Sequence, residues 1–131
     1  MSWVEVFVVF VVSHLVGDFL MQTDQQALHK FGGLGRDPVR RRALFGHVAV
    51  YALCFLPAGI WIGENRSAAT AIGLIVLVAL PHLVQDDGRL LSTYMVRAKG
   101  ATAEPGTLLF TAVDQSFHMV ALFFTALLAA S

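Results

Sequence analysis

Four stretches of this chain, residues 3–22, 43–62, 68–86 and 107–130, are apolar on most of their circumference. Each is close to the roughly 20 residues that a helix needs to cross a bilayer. No other feature limits the fold as much. Runs such as VEVFVVFVV and TAIGLIVLVAL leave too little polar surface for a soluble helical bundle, and a hydrophobic content of 56% agrees. The expectation is an all-α integral membrane four-helix bundle, a single transmembrane domain over 1–131 with helices over 3–22, 37–62, 68–86 and 107–130. The second helix reaches back to 37 because Asp37 can cap a helix whose first position is Pro38, where a missing amide suits the helix start. Between the third and fourth helices, Leu90, Leu91, Tyr94 and Met95 recur on one face of a segment that also carries Arg89 and Arg97. This predicts a short interfacial helix, followed by a turn over 100–106. Pro57 and Pro81 interrupt apolar segments and remove helical hydrogen bonds; a kink at Pro81 either aims the residues after it inward or only improves helix packing.

Charge sets the expected topology. Lys30, Arg36, Arg40, Arg41 and Arg42 lie between the first two helices, and Arg89, Arg97 and Lys99 between the last two; of the 9 basic residues only Arg66 lies elsewhere. The positive-inside rule assigns that side to the cytoplasm and both termini to the outside. The first segment is not a signal peptide by pattern, since it has no basic n-region and no small-residue cleavage site. Cys54 is the single cysteine, an apolar filler that permits no intrachain disulfide.

Against this apolar background stand His14 with Asp18, His82 with Asp86, and Asp114 with His118, each pair four residues apart, while the remaining segment carries His47. Four residues is slightly more than one turn, so each pair projects from a single helix face. In the expected topology all seven fall at similar depth, toward the cytoplasmic leaflet, which favours one common site. An aspartate at mid-membrane costs about 2.5 to 3.5 kcal/mol, so three need compensation. Shared protons, a water-filled cavity or a bound cation would supply it. A divalent cation, zinc, iron or manganese, suits imidazole and carboxylate together. Seven such groups exceed what one four-coordinate ion needs, leaving one or two ions as the expectation, with any of Asp18, Asp86 or Asp114 not bound to metal serving as acid or base.

Other polar residues receive lesser roles. Gln22 extends the stripe of Asp18, and Gln115 adjoins Asp114; either amide orients a carboxylate or meets substrate. Asp87 points about 100 degrees from Asp86 on an ideal helix and is expected to be solvated or paired with Arg89. His29 reads as a surface histidine. Gly32, Gly33 and Gly35 lack a P-loop ending, and the arginines at 36, 40, 41 and 42 suit anionic lipid headgroups. Nucleic-acid recognition fits poorly, because the basic residues occupy short juxtamembrane loops.

The strings HLVGDFLMQTDQQALHK, GHVAVYALCF, HLVQD and DQSFHMVAL resemble a family of small bacterial integral membrane proteins of unknown function, with a leading His-x3-Asp-Phe-x2-Gln motif and a trailing Asp-Gln-x2-His motif. The resemblance spans nearly the whole chain and implies the bacterial inner membrane. It selects His14, Asp18, Phe19, Gln22 and Lys30, then His47, His82 and Asp86, and finally Asp114, Gln115 and His118. The family's third-helix motif tends to end in lysine, where this chain has Asp87, Gly88 and Arg89.

Two function classes follow. A metal-dependent hydrolase would act on a lipid or membrane-partitioned substrate at the cytoplasmic leaflet. Alternatively, a proton or metal-ion transporter would use the same cluster as its binding site or relay. Apolar outer halves of the helices speak for the hydrolase. Small residues in helices two to four permit close packing, including a homodimer.

Overall fold

The computed structural model describes residues 1–102 and 104–130. The helices are α1 (Trp3–Leu15), which runs into one π-helical turn (Val16–Leu20), α2 (Asp24–His29), α3 (Pro38–Cys54), α4 (Leu56–Asn65), α5 (Ala68–Asp86), α6 (Arg89–Lys99) and α7 (Leu108–Ala130). No strand occurs among the described residues. Capping side chains set most starts. Ser2 and Glu5 form a reciprocal capping box on α1, Thr23 and Gln26 another on α2, and Ser67 accepts from the Thr70 amide at the start of α5. The Asp37 carboxylate accepts from the amides of Val39 (2.8 Å) and Arg40 (3.2 Å), with Pro38 in the first position of α3.

Three helices are long and apolar enough to cross a membrane: Trp3–Leu20, α5 and α7. A fourth candidate arises if α3 and α4, bent by 43°, form one span. The bend corrects the single helix expected over 37–62. Pro57 has no N–H to offer the Leu53 carbonyl and its ring crowds that turn, so the helix breaks at Phe55. By contrast, α5 continues through Pro81 to Asp86. The first span departs from expectation too. Its α-helical part stops at Leu15, the π turn carries it to Leu20, and the separate helix α2 occupies what was read as loop. The short helix expected between the last two spans is α6, which ends at Gly100 with a left-handed φ of 60°. Of the turn over 100–106, Ala103 lies outside the described residues.

Each long helix buries one stripe that changes character along its length. On α1 the stripe reads Val6, Phe10, His14; on α5, Leu74, Val78, His82, Asp86; on α7, read backward, Ala129, Ala126, Leu122, His118. From α4 into α3 it reads Ile62, Ala58, Phe55, Tyr51, His47. The apolar halves form one core, in which Phe10, Phe55, Leu74 and Leu122 pack together. The polar halves meet at the other end. Phe110 joins Leu91 and Met95 in a smaller cluster that seats α6 against α7, with Phe31 of the α2–α3 loop packed on it.

Candidate metal centre

Asp18, His47, His82 and Asp86 converge from the π turn, α3 and α5, all buried. His47 Nε2 lies 2.8 Å from Asp86 Oδ2 and 3.3 Å from Asp18 Oδ1. His82 Nε2 lies 3.2 Å from Asp86 Oδ2 and 3.4 Å from Asp18 Oδ1, and the two Nε2 atoms are 3.1 Å apart. Five of the six separations among these four atoms are those of a compact tetrahedron. Corners about 2.0 Å from a centre, the ordinary zinc–nitrogen or zinc–oxygen distance, stand about 3.3 Å from one another. The five separations bracket that value, so the donor set fits a divalent cation. Asp18 Oδ1 is buried and has no hydrogen-bond donor, as a ligand oxygen requires.

A chain of hydrogen bonds holds Asp18 in this pose. Gln115 donates through Nε2 to Asp18 Oδ2 (3.2 Å), leaving Oδ1 aimed into the tetrahedron. Gln115 Oε1 faces His14 Nε2 at 2.8 Å, so that nitrogen carries the proton and His14 Nδ1 accepts from the Tyr51 hydroxyl at 3.1 Å. Both ring nitrogens of His14 are thereby engaged, which places it behind Asp18 and outside the groups able to share an ion. Such outer partners fix ligand orientation. Lys30 Nζ donates to Asp86 Oδ2 at 2.9 Å. With its amide turned to satisfy both neighbours, Gln22 accepts from Lys30 Nζ (2.8 Å) and donates to the Asp18 carbonyl (3.1 Å). Gln22, Lys30 and Gln115 thus touch candidate ligands directly.

Tyr51 is the residue that sequence reasoning missed. Its ring stacks on His82 with centroids 3.4 Å apart and planes 4° from parallel. The signal was present, because Tyr51 follows His47 by the same four residues that separate every His/Asp pair. Gly17 in the π turn makes room for it: a Cβ there would lie 2.7 Å from Tyr51 Cδ2 and 3.4 Å from its Cα.

Asp86, Asp114 and His118 form a second group whose ligand atoms lie within 4.8 Å of one another. His118 Nδ1 donates to the Asp114 carbonyl at 2.9 Å. A cavity of about 250 Å³ borders both groups, lined by Asp18, Gln22, Lys30, Asp86, Asp114 and Gln115. Phe19, Phe31 and Phe110 supply apolar wall. A narrower apolar cleft of about 100 Å³ between Leu90, Leu91, Tyr94 and Phe117 shares Gln85 and Asp114 with the cavity.

Asp87 is paired with Arg89, one of the two outcomes expected of it, and is buried; it accepts from Arg89 Nε (2.6 Å) and from the Leu34 amide (2.7 Å). α5 ends there, and Gly88 follows at φ 73°. The hydrogen bond and charge of the Asp87 carboxylate raise the Arg89 pKa by favouring the charged guanidinium. His29 is exposed, with Nδ1 bonded to the Gln25 carbonyl (2.9 Å). Arg36, Arg40, Arg41 and Arg42 are exposed.

No curated protein and no solved structure matches the chain. A family model described as a protein of unknown function does, over residues 6–130, a stretch that contains every residue of both ligand groups. The chain belongs to this family, DUF3307.

Proposed function

We propose that the chain is a four-span membrane protein whose buried cluster holds a divalent cation and hydrolyses a lipid or other membrane-partitioned ester at the cytoplasmic leaflet. The observation that carries this is the tetrahedron of Asp18 Oδ1, His47 Nε2, His82 Nε2 and Asp86 Oδ2 beside an open cavity. A membrane setting is supported by the outward residues of the candidate spans, such as Val8, Val12, Ile60, Ile72, Leu80 and Phe124, all large, apolar and exposed. A soluble monomer rarely exposes so much apolar surface.

A divalent cation bound at the cavity would supply Lewis acidity and, at a coordination position the protein leaves open, an acidified water. Around it, the protein's own groups divide the work. Asp114, half-buried at the cavity, would take a proton from an entering water and return it to the leaving oxygen when it does not itself bind a cation. Gln22 and Lys30 face the cavity as donors to a polar head. The cleft between α6 and α7, which shares Gln85 and Asp114 with the cavity, suits an alkyl chain. The exposed arginines at 36, 40, 41 and 42 suit anionic headgroups on the same side. Transport is less well supported, because beyond Tyr51 the bundle axis is closed by Phe10, Phe55, Leu74, Val78 and Leu122.

The test uses purified protein in mixed micelles with two chromogenic probes, a medium-chain carboxylic ester and an alkyl phosphodiester. Hydrolysis of either should require zinc, iron or manganese, stop with chelator, and be absent in His47→Ala and His82→Ala. A metal-loaded protein that cleaves neither probe but carries the ion across proteoliposomes would replace hydrolysis with transport.

A further inference from the structure

Asp86 presents its two carboxylate oxygens to different partners. Oδ2 belongs to the tetrahedron, at 2.8 Å from His47 Nε2 and 3.2 Å from His82 Nε2. Oδ1 points the other way, toward His118 Nε2 at 3.6 Å. Both of these facing atoms are buried and neither has a hydrogen-bond partner. The His118 tautomer makes the contact unfavourable as it stands. Its Nδ1–H donates to the Asp114 carbonyl, so Nε2 of the neutral ring bears a lone pair directed at a carboxylate oxygen. Two buried acceptors facing each other call for something positive between them. The Asp114 carboxylate, on the same helix face as His118, supplies a third ligand at the cavity edge.

We propose that Asp86 bridges two divalent cations, the first in the tetrahedron and the second held by Asp86 Oδ1, His118 Nε2 and Asp114. This rests on the metal-site reading above and extends it. With four protein ligands the first site is filled, whereas the second has three and faces the cavity, the pattern of a site that keeps a position for substrate. Charge then narrows the substrate class. Three carboxylates, Asp18, Asp86 and Asp114, against the single ammonium of Lys30 leave the cluster net negative with neutral imidazoles. One divalent cation brings it to neutrality, and a second makes it positive, which favours a phosphoryl ester over an uncharged carboxylic ester.

The experiment is metal analysis of the intact detergent-solubilised protein reconstituted with manganese, together with electron paramagnetic resonance and inorganic phosphate as the ligand probe. Wild type should hold two ions with an exchange-coupled manganese signal, and phosphate should perturb that signal. His118→Ala and Asp114→Asn should each hold one ion, give an uncoupled signal and lose the response to phosphate. Asp114 lies at the cavity edge and asparagine keeps its shape, so this variant remains informative if His118→Ala does not fold. A single ion in wild type at saturation overturns the bridge while leaving the first site intact. Two uncoupled ions, or two ions retained in Asp114→Asn, also overturn it. Absence of any ion instead removes the reading on which the bridge rests.

Discussion

Replacing Gln115 with leucine tests the metal centre without touching a ligand. Gln115 bonds His14 Nε2 through its oxygen (2.8 Å) and Asp18 Oδ2 through its nitrogen (3.2 Å). Leucine has similar bulk and can do neither. Two consequences follow from separate steps of physics. The His14 N–H loses its acceptor and Asp18 Oδ2 its donor, both in buried surroundings, and each unsatisfied group costs about 1 to 3 kcal/mol. Asp18 Oδ1 also loses the constraint that aims it at His47 and His82. Loss of an outer partner of this kind weakens metal binding by about 10- to 100-fold, equivalent to about 1.4 to 2.8 kcal/mol.

The assay is competition for zinc against chelators of graded affinity, with thermal unfolding measured on the same samples with and without metal. Gln115→Leu should bind zinc in the predicted range, between wild type and His47→Ala, and melt lower than wild type in chelator. Tyr51→Phe, which removes only the donor to His14 and keeps the ring on His82, should fall between Gln115→Leu and wild type. Wild-type zinc affinity in Gln115→Leu would refute the orienting role. Zinc affinity as poor as that of His47→Ala would refute it differently, by making Gln115 part of the first coordination sphere.

Gly17→Ala should lower stability by about 1 to 3 kcal/mol, because the new Cβ meets the Tyr51 ring and its Cα; thermal melts check this, and Tyr51→Ala in the same chain should recover part of the loss. Lys30→Met leaves the buried Asp86 carboxylate without its ammonium at a cost of about 3 kcal/mol, and saturating zinc should restore more of the melting temperature in this variant than it adds to wild type. Zinc affinity should fall as pH is lowered, because protons compete with the ion for the imidazoles; an affinity independent of pH would argue against histidine ligation. Reporter fusions after Arg36, Glu64, Lys99 and the C-terminus should read inside, outside, inside and outside, and an inside reading at the C-terminus would exclude the four-span topology.

The site was legible because helical spacing converts sequence position into a face. His14, His82 and His118 each lie a whole number of near-turns from apolar residues that needed burial, so burying the stripe also buried the histidines. Spacing says nothing about which ring nitrogen meets what, and this separates His14, held by Tyr51 and Gln115, from His47 and His82. The π turn was equally out of reach. One extra residue per turn shifts Asp18 relative to α1, and only Gly17 hints at the close approach of Tyr51 that accompanies it. Helix α2 was missed because its six residues show too short an apolar period, although Thr23 and Gln26 form a capping box readable at the required spacing. The Phe55 break was signalled by Pro57, yet the continuous helix through Pro81 shows that proline alone does not fix a break.

Asp87 connects the chemistry of the cluster to the loop that closes it. Its carboxylate accepts the Leu34 amide at 2.7 Å and its carbonyl accepts the Gly32 amide at 2.8 Å, tying the α2–α3 loop to the end of α5. Lys30 immediately precedes that tied segment, and it is the only cation to reach Asp86 among the described residues. The loop therefore sets the position of the ammonium as well as one wall of the cavity, through Phe31 packed against Gly88. A buried carboxylate beside three imidazoles would otherwise have to draw its compensation from protons or ions alone. With Lys30 held in place, the cluster keeps part of its charge balance without a cation, and the same contact would make the proposed cation binding sensitive to the loop's conformation. Asp87→Ala should accordingly loosen both, weakening zinc affinity although Asp87 touches no ligand atom of the tetrahedron.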